Sequence, residues 1–246
     1  MPSDSRLTRR GFVRLCTATV ALVSASPALL AQPQALLRRY QRVRLVDGSE
    51  RPVTAADLKV GENYLFHYPY ISTPCFLLNL GKPADGAWLR TEDGERYHWQ
   101  GGVGAQRAVV AFSAICAHKM SHPAREVSFI NYRHQQVAFE NAHKQVSQRA
   151  QVIYCCSEKS VYDPTDGARV LGGPAKQPLA AVVLESDERG VLYATGTIGG
   201  ELFQRFFREF SSRLSIEFRT RDVRKLVAGT AAVTPLAEYC RNQVLC

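Results

Sequence analysis

Two cysteine segments set the narrowest limits on what this chain can fold into: Ile115-Cys116-Ala117-His118-Lys119, and much later Tyr154-Cys155-Cys156-Ser157-Glu158-Lys159-Ser160-Val161-Tyr162-Asp163-Pro164. Thiolate and imidazole both ligate thiophilic transition metals, so a Cys-x-His and a distant cysteine-led loop read as two halves of one metal site. A fold that carries them must bring two loops, remote in sequence, to one place. The usual zinc spacings are not matched, which makes structural zinc the weaker metal reading.

Strand signals surround both segments. Tyr64–Phe66, Cys75–Leu78, Arg107–Ser113, Gln151–Tyr154, Ala181–Glu185 and Gly190–Ala194 are short, β-branched or aromatic, and separated by Gly, Pro or Asp. Turn signals fall at Asp93-Gly94, Asp166-Gly167 and Glu188-Arg189-Gly190. The pattern predicts a mainly β fold, a small antiparallel barrel or sandwich whose metal loops follow strands and project at one end. Asn131 to Arg149 reads as a polar insert, with His134 and His143 as solvated loop histidines. Leu202, Phe203, Phe206, Phe207, Phe210 and Leu214 recur at helical spacing, predicting an amphipathic helix over 200–215 that packs on the barrel. The remainder reads as an extended tail with a strand around Val223 to Val227.

Residues 105–200 resemble a Rieske domain. Besides the two cysteine segments, Ala168-Arg169-Val170-Leu171-Gly172-Gly173-Pro174 with Pro178-Leu179 is similar to the Gly-Pro-rich segment that closes the family's second loop. The resemblance implies a β domain over 40–197, with its cluster-binding part at 105–180 and a C-terminal helix and cysteine-containing tail at 198–246. It also implies a [2Fe-2S] cluster, with two thiolates on one iron and two imidazoles on the other. Cys116 and His118 match the first pair. In the family's second loop, Cys-Pro-Cys-His-Gly-Ser, the ungapped register makes Cys155 the thiolate and places Glu158 at the histidine. A one-residue shift makes Cys156 the thiolate and places Lys159 there instead. His122, four residues after His118, is a further substitute for the fourth ligand. Tyr162 matches a family position that hydrogen-bonds a ligand sulfur.

The missing imidazole has chemical consequences. Lysine, with a pKa of roughly 10.4, must shed its proton before it can bind iron. A carboxylate binds, but as a harder, anionic donor it lowers the potential from the roughly −150 to +300 mV range of Rieske centres. The cluster implied is therefore atypical or lost. Many Rieske domains also tie their two loops with a disulfide, and at both of those positions this chain has serine, Ser121 and, in the ungapped register, Ser157.

Thr8-Arg9-Arg10-Gly11-Phe12-Val13 fits a twin-arginine export signal, and the 17 residues from Leu15 to Ala31 are uncharged. Residues 1–31 are read as a signal or anchor segment. That length is marginal for a membrane span, and Pro27 favours cleavage and a soluble periplasmic form. The route carries folded proteins, which suits a cofactor inserted before export.

Of the formal +9 charge of 246 residues, residues 1–31 supply four basic and one acidic residue, leaving 27 against 21 and a net +6. That excess suits an acidic protein partner or a membrane surface; no interleaved basic-aromatic run points to nucleic acid. Among seven cysteines, Cys240 and Cys246 are expected to close a small disulfide loop in an oxidising compartment, and Cys75 to be a buried apolar thiol. No nucleophile-base pair or phosphate loop stands out. The expected role is electron transfer beside a redox protein, a cytochrome or a larger oxidoreductase subunit; the alternative is a cluster-less structural or assembly subunit on the same fold.

Overall fold

The computed structural model describes residues 36–246, so the export motif and the apolar run from Leu15 to Ala31 lie outside the described residues. In chain order these are β1 (Leu37–Val46), β2 (Tyr64–His67), β3 (Pro74–Asn79), β4 (Ala87–Arg90), β5 (Arg96–Trp99) and β6 (Val109–Ser113). Then come β7 (Val127–Ser128), β8 (Ile130–Arg133), β9 (Val137–Glu140), β10 (Val146–Arg149), β11 (Val152–Cys155), β12 (Ser160–Asp163) and β13 (Arg169–Gly172). The chain continues through β14 (Ala181–Ser186), β15 (Leu192–Ile198), helix α1 (Phe203–Glu217), β16 (Thr230–Ala232), β17 (Thr234–Pro235), helix α2 (Leu236–Tyr239) and β18 (Asn242–Gln243).

Eight strands form one sheet in the order β16-β1-β15-β14-β6-β3-β2-β17, and four form a second in the order β13-β12-β11-β8. The period of two along a strand explains how they pack. Along β3, Cys75 and Leu77 face one core with Val43, Leu45, Phe66 and Tyr68, whereas Phe76 and Leu78 face another. That other core also takes Phe112 of β6, Ile130 of β8, Ile153 of β11 and Tyr162 of β12, so it lies between the two sheets. Being buried on both faces, β3 reads as an unbroken apolar run. The expected mainly β antiparallel fold is the observed one, and Cys75 is fully buried as expected.

Helix α1 runs two residues past its expected end. Phe203, Phe206, Phe207 and Leu214 are at most 2% exposed and pack on Ile115 and Met120 of the first cysteine loop. The polar insert is not a loop: it contributes β8 to the four-stranded sheet and then forms the β9–β10 hairpin. Polar residues conceal this hairpin because only Val137 and Phe139 of it face inward. No strand forms at Val223 to Val227, where one bridge joins Leu226 to Tyr70; β16 instead adds to β1, and β17 to β2. Among the described residues, no helix is long and apolar enough to cross a membrane.

The expected Cys240–Cys246 disulfide is not formed. Cys246 bonds to Cys156, 90 residues away in sequence, while Cys240 is buried and its thiol donates to the Asn242 carbonyl oxygen at 3.0 Å. The parallel pairing of β18 with β7 lays the tail beside β11, where Cys156 sits, and no local spacing announces such a contact.

Candidate metal centre

The first loop leaves β6 and closes on itself. Met120 donates its backbone N–H to the Cys116 carbonyl at 3.0 Å, and Cys116 donates to the Ser121 carbonyl at 2.8 Å. Met120 takes φ +57°, a left-handed conformation that a side chain tolerates at a cost, here with the side chain fully buried against α1. His122 is taken into the same packing. Its ring meets Phe206 and Phe210 edge-on, each at 4.8 Å between centroids, and its Nδ1 lies 2.9 Å from the Met120 carbonyl oxygen. The ring is thus held by the loop and α1 while its Nε2 is buried without a hydrogen-bond partner, and burial holds its pKa below the ordinary value.

The second loop is the turn of the β11–β12 hairpin, in which Cys155 pairs with Ser160. Alternation along the strand separates the two adjacent cysteines. Cys155 shares the inter-sheet core with Ile153, Tyr162 and Cys116, whereas Cys156 turns outward to the disulfide with Cys246. Cys155, the thiolate of the ungapped register, is thus a free buried thiol, while Cys156, the thiolate of the shifted one, is held in a disulfide. Lys159 falls on the family's glycine in the ungapped register. It adopts φ +58°, the left-handed conformation glycine reaches without strain, and is exposed beside the β9–β10 hairpin.

Burial and hydrogen bonding make the meeting point of the loops chemically unusual. The Tyr162 hydroxyl accepts the Ala117 backbone N–H at 3.1 Å and lies 3.3 Å from Cys116 Sγ, to which it is then free to donate. Hydrogen bonding from Cys155 above all, and then from Tyr162, brings the Cys116 thiol down to about 6. The same interaction, with burial, pushes Cys155 upward, so the pair retains one proton in a shared bond. This is the meeting of loops that the Rieske resemblance implies. The two loops, read separately from sequence, deliver the two thiols and the tyrosine of that site to one buried point.

The other pair of donors is less regular. Lys119 of the first loop and Glu158 of the second form an ion pair at 3.0 Å, so the two loops touch there. His118 Nδ1 and Ser160 Oγ are buried without a hydrogen-bond partner, as expected of groups whose partner is a bound cofactor. Among the described residues, no three His, Cys, Asp or Glu side chains already stand as a metal cage. By donor chemistry Cys116, Cys155 and His118 fit such a group, while the Glu158 carboxylate is taken up by Lys119. Sequence reasoning overlooked Lys119 and gave Cys246 the wrong partner; the charge of Lys119 directly after the Cys-x-His was the one available signal.

No family model matches the chain. The iodate reductase subunit IdrB of Pseudomonas sp. (strain SCT) is 28% identical over 195 residues, covering 78% of this chain and 80% of the relative. The iodate reductase subunit IdrB of Denitromonas iodatirespirans is likewise 28% identical over 195 residues, covering 78% of this chain and 82% of that one. Among solved structures, the soluble domain of Rieske protein II (soxF) from Sulfolobus acidocaldarius superposes with a TM-score of 0.44 and 25% identity, over 64% of this chain and 78% of that one. The quaternary ammonium Rieske monooxygenase CntA gives a TM-score of 0.32 and 11% identity, over 72% of this chain and 37% of that one.

Proposed function

We propose that this chain is a periplasmic Rieske-type electron-transfer subunit of a larger oxidoreductase, exported by the twin-arginine route. The observation that carries the reading is the buried junction where the Cys116 and Cys155 thiols share one core and the Tyr162 hydroxyl lies 3.3 Å from Cys116 Sγ. The relatives that support the partner role are named as subunits of a reductase, and the moderate positive charge suits a protein partner.

Cys116 and Cys155 would hold one iron of a [2Fe-2S] cluster, and His118 with Glu158 the other. Bound there, the cluster supplies one-electron transfer. Around it, Tyr162 keeps a hydrogen bond on Cys116 Sγ, which stabilises the sulfur's negative charge. Ile115 and Met120 exclude water from beneath the first loop. Glu158 would bring negative charge where imidazole is neutral and carries no ring N–H, so a cluster held there would have a lower potential and weaker proton coupling than a His-ligated one.

Iron and acid-labile sulfide content, with EPR of the reduced protein, tests this on material exported by its own signal. Two irons per chain are expected. Glu158→His should raise the potential and strengthen cluster retention, while Lys159→His should do neither; the reverse result would overturn the register. A second reading has its own support, because the Lys119–Glu158 pair already joins the two loops without a metal. A well-folded, iron-free native protein would favour that reading, a structural or assembly subunit on a Rieske scaffold.

A further inference from the structure

The net charge of +6 beyond residue 31 is not spread evenly. Residues 203–225, α1 and the loop after it, hold seven basic and three acidic residues, a net +4. Elsewhere acidic residues nearly balance the basic ones, and several cations are paired locally: Arg38 with Glu201, Arg42 with Glu185, Arg51 with Asp47, Arg169 with Asp166 and Arg241 with Glu126. In the α1 region Arg205 pairs with Glu209, and Arg224 lies over the Phe207 ring. Arg208, Arg213, Arg219, Arg221 and Lys225 are exposed and have no salt-bridge partner among the described residues. Ile216, 80% exposed, sits on the same outer side of the helix.

This face adjoins the site. The opposite side of α1 carries the first loop through Ile115, Met120 and His122; Glu217 accepts the Arg125 backbone N–H, and the charge of Arg213 acts on His122. The choice of occupant follows from what α1 has already buried. A helix that lies on a membrane must offer its apolar face to lipid, but Phe203, Phe206, Phe207 and Leu214 are spent on the protein core. What remains outward is a ring of arginines around one aliphatic side chain, a composition that suits a protein interface.

We propose that the outer face of α1 with residues 219–225 is the docking surface for an acidic redox protein. The inference rests on the electron-transfer reading above. Charge complementarity there speeds encounter and orients the partner, and the packing of α1 on the first loop leaves one helix between that partner and the loop of Cys116 and His118.

The test measures association, not electron flow, so it is independent of whether a cluster is present. The full chain, isolated with and without metal, is immobilised and presented with an acidic c-type cytochrome, a basic c-type cytochrome of the same size, and phosphatidylcholine vesicles with and without phosphatidylglycerol. The acidic cytochrome should bind at low ionic strength and be released by salt, with the basic cytochrome and both vesicles unbound. Replacing Arg208, Arg213, Arg219 and Arg221 with Gln should weaken that binding about tenfold or more. Replacing Lys59, Lys82, Arg96 and Arg189 with Gln, which removes the same charge elsewhere, should change it less than about twofold. Equal loss in both sets, equal binding of the two cytochromes, or retention by phosphatidylglycerol vesicles instead of by the acidic cytochrome would each overturn the assignment. An iron-free protein that still binds the acidic cytochrome would sink the electron-transfer reading and leave the docking surface standing.

Discussion

The two cysteine loops do the same job by different means. The first, from Cys116 to Ser121, is buried at Cys116, Ala117 and Met120 and exposed only at Lys119, it is closed by its own backbone hydrogen bonds, and the aromatic face of α1 supports it from below. The second, from Cys155 to Ser160, is a hairpin turn whose tip is exposed at Ser157 and Lys159, and distant parts of the chain fasten it: Cys246 through a disulfide and Lys119 through an ion pair. A loop closed by packing depends on volume, whereas one closed by cross-links depends on two or three bonds. The second should therefore be the one whose geometry responds to redox conditions and salt.

The strongest way to break this comparison is to remove the support of the first loop. Phe206→Ala deletes a fully buried ring between α1, Met120 and His122, and should cost about 3–5 kcal/mol by urea unfolding, with loss of the Cys116 environment. If the loss is well under that, α1 is a bystander. For the second loop, Cys246→Ser should cost about 2–4 kcal/mol and make the mutant insensitive to mild reductant, because the bond joins residues 90 positions apart. Unchanged stability on reducing the native chain would show that the tail's hydrogen bonds to Ser128 and Asn131 suffice.

Tyr162→Phe probes the point where the loops meet. It leaves the Ala117 N–H buried without an acceptor, an expected cost of about 1–3 kcal/mol. In metal-free protein it should also move the Cys116 ionisation upward from about 6, followed by thiolate ultraviolet absorbance. The sign follows from linkage: a thiol depressed in the folded state contributes stability that is complete above its unfolded value of 9.0 and lost as pH falls through about 6. Cys155, held protonated, acts oppositely once pH rises past the unfolded thiol value. The smallest effect belongs to the ion pair. A double-mutant cycle with Lys119→Met and Glu158→Gln should give a coupling of about 0.2–1 kcal/mol that shrinks with salt, since both groups keep contact with water. A larger coupling would make the pair a true substitute for the missing ligand bond.

Periodicity made much of the fold legible before any coordinates. The buried run of β3, the β14 and β15 strands and the Phe-rich helix all advertise themselves through side chains spaced at two or at 3.6 residues. The β9–β10 hairpin did not, because only two of its residues face inward. Within the site, Cys116 and His118 were legible from residue type and spacing, and Tyr162 through the Rieske resemblance. Which of Cys155 and Cys156 belongs to the site was not, since adjacent cysteines in one strand are equivalent as letters.

The amino-acid sequence on its own determined the fold class, the two cysteine loops and the absence of a second imidazole, because each depends on residue identity over a few positions. Tertiary structure alone decided that Cys155 enters the core, that Cys156 reaches Cys246, and that His122 is absorbed by α1. Those outcomes depend on which strands and helices come to lie side by side, and contacts between residues far apart in the chain leave no periodic trace in either partner.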